Sequence, residues 1–125
     1  MIYAESDFFL AMIKGSDWLK RNAVQFEIRN KGNLITSVIT VAEILLAGKK
    51  YNLDPEIIVS SIFEISKVEG MTAEEGMEAA HLIKNEGFGV FDAFHAVLSR
   101  DMPIVSSEQM YDKIGKERIK LEQMH

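Results

Sequence analysis

The sequence contains no cysteine, which excludes disulfides, thiolate nucleophiles and zinc sites built on thiolates, and suits a reducing compartment. Proline is scarce, at 2 residues in 125, while 47% of the chain is hydrophobic; together these argue against disorder or a fibrous repeat and for a globular core. Long apolar runs are missing. The longest early one, Phe8 to Ile13, is too short to cross a bilayer and has no basic segment before it, so neither a signal peptide nor a membrane span is expected and the protein reads as cytoplasmic. Basic charge is in deficit, with 14 Lys and Arg against 19 Asp and Glu and a net charge of -5, so any contact with nucleic acid has to be local. Repeats, low-complexity tracts and linkers are also absent, and residues 1–125 read as one domain.

Strand-like and helix-like segments alternate. Met1 to Ala4 reads as a short buried strand leading into an apolar helix, Phe8 to Ile13; Gly15-Ser16-Asp17 supplies a break and cap before a second helix, Trp18 to Asn30. Leu34 to Val38 is rich in β-formers, and Val41 to Ala47 suits a helix ending at Gly48. Asp54-Pro55 opens a helix to about Ser66 whose buried face is Ile57, Ile58, Ser61, Ile62 and Ile65. A short strand, Lys67 to Glu69, precedes the capping box Thr72 to Glu75 and a helix closed by Gly87. Val90 to Leu98 is helical, Pro103 to Ser106 a compact strand and Arg118 to Leu121 an edge strand. This succession predicts an α/β fold, a central mostly parallel sheet with helices on both faces.

In such sheets ligands collect beyond the carboxyl ends of the strands, where strand order reverses. Glu5 follows the first strand, Glu43 lies on the helix after the second, Asp92 opens a late helix and Glu108 follows the strand ending at Ser106. Like charges brought together call for a cation, and hard divalent ions prefer carboxylate oxygens, so a Mg²⁺ or Mn²⁺ site is one explanation of the four acids, with phosphodiester hydrolysis as a candidate chemistry. Each acid also has a local structural explanation: Thr40 to Glu43 matches a capping box, Asp92 and Glu5 can complement helix dipoles, and Glu108 can be a solvated loop residue. Asp7 is either an auxiliary ligand or the N-cap of the first helix. Ser6 and Ser106 are candidate donors that hold the carboxylates, or ordinary turn hydroxyls. His81 and His95 lie on apolar helix patterns and read as packing or surface hydrogen bonding rather than ligation, and His125 is terminal.

The segments Ile2-Tyr3-Ala4-Glu5-Ser6-Asp7, Ser37 to Ile44, Phe91-Asp92-Ala93-Phe94-His95-Ala96 and Ile104 to Glu108 together resemble the PIN domain family, in particular its compact VapC-type members. The resemblance spans nearly the whole chain. It implies a three-layer sandwich and a metal-dependent ribonuclease with RNA as substrate, of a kind that commonly serves as the toxin of a toxin–antitoxin pair, bound by a small antitoxin and often homodimeric. Glu43 and Asp92 match the family's second and third acids, while Glu5 and Glu108 stand where aspartates are the rule; each replacement adds one carbon–carbon bond of reach and one rotor to fix. The resemblance makes Glu5, Glu43, Asp92 and Glu108 the catalytic and metal-binding acids, with Asp7 beside them.

Two other functions are compatible with the same residues. One is a PIN-like domain whose altered acids leave a binding or assembly module; the other is a DNA-directed nuclease with the same metal chemistry. Lys14, Lys20, Arg21, Lys49 and Lys50 are candidate phosphate contacts or solvated charges. Phe8, Phe9, Met12 and Trp18 are either an apolar interaction surface or core.

Overall fold

A computed structural model describes residues 1–15 and 17–123. Its centre is a sheet of short strands: β1 (Ile2–Ala4), β2 (Leu34–Ser37), β3 (Lys67–Glu69), β4 (Ile104–Ser106) and β5 (Arg118–Lys120). The spatial order is β3-β2-β1-β4-β5. All four pairings are parallel, with Tyr3 of β1 opposite Ile35 of β2 on one side and Ile104 of β4 on the other. The chain moves outward from β1 to β3, then returns to build on the other side of β1. Strand order therefore reverses between β1 and β4, and a crevice opens beyond their carboxyl ends.

Side chains alternate across the strands and feed two cores. Ala4, Leu34 and Val105 pack with Phe8, Phe9 and Ala11 of α1 (Ser6–Ile13), Ala23 and Phe26 of α2 (Lys20–Arg29), Ile44 of α3 (Val38–Lys50), and Ile58 and Ile62 of α4 (Pro55–Ile65). Tyr3 and Ile104 face the opposite way, toward Leu98 of α6 (Val90–Leu98) and Tyr111 of α7 (Met110–Lys113). Helix α5 (Ala73–Glu86) packs on α6 through Ala79, Ala93 and Val97.

Several elements follow local signals. Asp54 caps α4 with Pro55 at its first turn, the Thr72–Glu75 capping box forms at α5, and Gly87 ends that helix at φ 73°, a conformation that favours glycine. Other expectations are corrected. Helix α3 starts directly off β2 at Val38 and runs through Gly48 to Lys50. The Thr40–Glu43 capping box consequently does not form, and Thr40 lies buried inside the helix. Gly48 is not a terminator but a contact point: a Cβ there would lie 2.6 Å from Ile58 Cδ1, so its missing side chain lets α3 and α4 approach. Ile57, expected on the buried face of α4, is 57% exposed, because the core lies along the Ile58–Ile62 stripe. Helix α2 begins at Lys20, leaving Trp18 exposed; Phe8 and Phe9 are core and Met12 is half-buried. Asp7 is not the N-cap of α1, since Glu5 takes that place. Leu121 leaves the edge strand for a buried 3-10 turn. Ser16 and His125 lie outside the described residues.

Among the described residues no helix is long and apolar enough to cross a membrane.

Candidate active site

The site is built at the β1–β4 crevice. Because β1 ends at Ala4 and α1 begins at Ser6, Glu5, Ser6 and Asp7 occupy the sharp strand-to-helix passage. Glu5 is buried and caps the new helix, its Oε1 accepting the Asp7 amide at 2.9 Å, while the Tyr111 hydroxyl donates to Oε2 at 3.4 Å. Burial, reinforced by the Asp7 carboxyl beside it, pushes the Glu5 carboxyl well up. Glu5 is thus turned into the protein and favours its neutral form.

Asp7 spans the crevice. Its Oδ2 accepts the Ser107 amide at 2.7 Å and the Ser107 hydroxyl, both from the turn after β4. Its Oδ1 is buried and has no hydrogen-bond partner among the described residues. Ser106, the last residue of β4, accepts the Glu108 amide on Oγ at 2.9 Å and so shapes the turn that carries Glu108. The Glu108 carboxyl is pushed up first by burial and then by the negative charges of Asp7, Asp92 and Glu43.

Glu43 enters from α3. Its Oε1 accepts the Ser6 hydroxyl and faces His95 Nε2 at 2.7 Å. Asp92, in the first turn of α6, is also pushed up, mainly by burial and then by Glu43, with His95 opposing. It lines a cleft of about 480 Å³ with Phe88, Gly89, Met110 and Lys113 among its walls. Four of the expected acids therefore influence one another electrostatically across the crevice.

A hard divalent cation suits this donor set. Asp7 Oδ1 is a buried acceptor awaiting a partner, and the repulsion that adds to burial in raising Asp92 and Glu108 is relieved by positive charge. The arrangement is open: among the described residues no three acidic or imidazole groups are drawn into a ready-made cage. Asp7, Glu43, Asp92 and Glu108 offer carboxylate oxygens to it, whereas Glu5 already serves the α1 cap.

His95 is not a surface residue but is fully buried. Its Nδ1 lies 2.8 Å from the Tyr3 hydroxyl, which in turn lies 2.8 Å from Ser37 Oγ. His81 sits on the exposed side of α5, with its Nδ1 bonded to Asn85 at 2.9 Å. Tyr3, Ser37, Ser107 and Tyr111 were not legible as site residues; the one available signal was the three-residue spacing of Asp92 and His95, which puts both on one side of α6. Of the candidate cations, Lys14 pairs with Asp17 at 3.0 Å, beyond the end of α1 opposite the crevice, and Lys20 donates to the Lys14 carbonyl at 3.0 Å. Lys49 and Lys50 lie at the C-terminal end of α3. Among the described residues, Lys113 is the cation that lines the same cleft as Asp92.

A parallel α/β sheet with an acidic crevice at its switch point defines the class of the fold. No model of a known protein family matches the sequence, and no curated protein matches it significantly in sequence. Solved structures do match. VapC20 from Mycobacterium tuberculosis, described as a sarcin-ricin loop cleaving toxin, superposes with a TM-score of 0.83 at 14% identity, covering 96% of this chain and 99% of that one. A toxin–antitoxin complex from Klebsiella pneumoniae gives 0.74 at 12% identity, over 97% and 98% of the two chains. VapBC2 from Rickettsia felis, bound to a DNA fragment from its promoter, gives 0.69 at 14% identity, over 96% and 98%. The chain has the VapC-like PIN-domain fold, over 96% of its length in the first of these matches.

Proposed function

We propose that this protein is a metal-dependent endoribonuclease of the VapC type, the toxin of a toxin–antitoxin pair. The observation that carries the reading is the unpartnered buried Oδ1 of Asp7 at the crevice where Glu43, Asp92 and Glu108 also gather. Structural likeness to a toxin that cleaves the sarcin-ricin loop and to toxin–antitoxin complexes supports it.

Asp7, Glu43, Asp92 and Glu108 would hold Mg²⁺ or Mn²⁺, with Glu5 as the buried carboxyl behind them. Such an ion, when bound, supplies Lewis-acid stabilisation of the phosphodiester and activation of water. The chain's own residues do the positioning: Ser6 restrains Glu43, Ser107 restrains Asp7, and Ser106 shapes the turn bearing Glu108. Lys113, in the cleft beside Asp92, meets a flanking phosphate and gives the local attraction that a chain of net charge -5 otherwise lacks. A small antitoxin partner, a homodimeric state and a cytoplasmic location complete the reading.

The use of Glu5 as a helix cap favours a second reading, a PIN-like module with little or no nuclease activity. Incubation with mixed RNA and single-stranded DNA substrates, in Mn²⁺, Mg²⁺ or excess chelator and beside Asp92→Asn and Glu43→Gln, separates the two. Metal-dependent RNA cleavage lost in both variants is expected. Absence of cleavage by the wild type favours the module, and cleavage that persists in chelator rules out the metal assignment.

A further inference from the structure

The buried imidazole of His95 lies between two groups of different character, and its surroundings dictate its proton. Nε2 faces Glu43 Oε1 at 2.7 Å. A carboxylate only accepts, so Nε2 carries a hydrogen. Nδ1 faces the Tyr3 hydroxyl at 2.8 Å, and that hydroxyl has a second partner in Ser37 Oγ, also at 2.8 Å. If Ser37 donates to Tyr3 and Tyr3 donates to Nδ1, every hydrogen in the chain has one acceptor.

The path joins separate elements: Ser37 ends β2 directly before α3, Tyr3 is on β1, His95 on α6, and Glu43 lies along α3. It therefore closes a loop that sets the rotation of α3 and the reach of Glu43 together. Packing alone does not account for it. A phenylalanine would fill the same buried space without burying two ring nitrogens, which are tolerated there only because both are satisfied. Glu43 is itself 25% exposed at the side chain. Its Oε1 takes both His95 and Ser6, and among the described residues Oε2 takes no hydrogen bond. A flexible glutamate is thus held by one oxygen and presents the other.

We infer that His95 is the positioning residue for Glu43: seated from behind by the Tyr3 hydroxyl, it donates its Nε2 hydrogen to Oε1 and leaves Oε2 free for a cation. The link to the cation rests on the nuclease reading; the link between His95 and Glu43 does not.

Two substitutions separate the roles of the ring nitrogens. In His95→Asn the amide keeps a group near the place of Nδ1, toward Tyr3, but does not reach Glu43. In His95→Gln the amide nitrogen falls near the place of Nε2 and restores the donor to Glu43. Calorimetric titration with Mn²⁺, without RNA, is expected to show affinity weakened on the order of 10–100-fold in His95→Asn and largely recovered in His95→Gln. Wild-type affinity in both variants, or equal loss in both that follows their melting temperatures, overturns the inference. Ring-nitrogen NMR of the metal-free wild type supplies the second arm. A protonated Nε2 with an accepting Nδ1 that changes in Tyr3→Phe is expected, and hydrogen on Nδ1 alone overturns the assignment. Failure of the wild type to bind Mn²⁺ overturns the nuclease reading, and the NMR arm then decides the His95–Glu43 link by itself.

Discussion

Asp7 and Ser107 are joined across the switch point, the carboxylate accepting the backbone amide at 2.7 Å and also the hydroxyl of a residue on the far side of the β1–β4 pairing. This clasp ties the turn that carries Glu108 to the start of α1. Its strength is open to dissection. Ser107→Ala retains the amide donor and is expected to cost about 1 kcal/mol. Asp7→Ala leaves that amide without its acceptor and is expected to cost about 1–3 kcal/mol. Urea unfolding of both single variants and the double tests it; strict additivity would show that the two residues do not interact.

The second prediction concerns pH. Glu5, Asp92 and Glu108 are all pushed up from their ordinary values, chiefly by burial and then by neighbouring carboxylates, so each keeps its proton longer in the folded chain than in the unfolded one. The unfolded state then binds fewer protons, and stability falls as pH rises from about 4 upward. Denaturant melts in chelator should show that fall. Glu5→Gln should flatten it and raise stability at neutral pH, and saturating Mn²⁺ should oppose it in the wild type. Stability that increases over this window, or a slope unaffected by Glu5→Gln, contradicts the assignment.

The α5 start gives the opposite sign. Glu75 is drawn down to about 2, chiefly by Arg100, whose Nε lies 2.7 Å from Oε2. A depressed carboxyl stabilises above its unfolded value and loses that contribution as pH falls toward about 2. The pair is solvent-screened, so Glu75→Gln should cost under about 1 kcal/mol at neutral pH and nothing extra in strong acid. Thr72→Ala, which removes a cap that does not titrate, should cost about 1 kcal/mol at either pH. Paired melts at neutral and acid pH distinguish the two patterns.

Gly48 offers a packing test. Alanine in mid-helix ordinarily gains about 1 kcal/mol over glycine, but here the new methyl meets Ile58 Cδ1 at 2.6 Å in a well-filled core, where overpacking costs about 1–3 kcal/mol. Gly48→Ala is expected to be net destabilising by about 1 kcal/mol. Adding Ile58→Val, which deletes the offending methyl, should make the double variant more stable than Ile58→Val alone. If Gly48→Ala stabilises the wild-type background, the close approach is not limiting.

The legible parts of this fold are those decided locally. Asp54-Pro55 and the Thr72–Glu75 box act within one turn, and both helices start where these signals fall. The inner strands β1, β2 and β4 announce themselves by short runs of buried residues, while the edge strands β3 and β5 carry a single apolar residue each, Val68 and Ile119; the parallel order follows from the helices between them. Thr40 misled because a capping-box pattern competes with the direct passage of β2 into α3, and the tertiary passage prevailed. The site divides the same way. Glu43 and Asp92 stand at readable places on their helices. The division of labour between Glu5 and Asp7 is not readable, since which carboxyl caps α1 and which crosses the crevice depends on the Ser107 turn and on Tyr111. His95 looks like any apolar-face histidine until α6 is packed beside α3.

The Asp7–Ser107 contact joins residues 100 positions apart, which puts the acidic crevice on a clock. A ribosome adding about 5–20 residues per second releases Glu5, Asp7 and Glu43 well before the strand that must lie beside β1. Throughout that interval β1 has β2 available as a neighbour, but its other edge is unfilled and no turn exists to receive Asp7. A nascent chain thus lacks the fourth acid and the clasp together, and the crevice is assembled only once synthesis has passed β4 and the turn that carries Ser107 and Glu108.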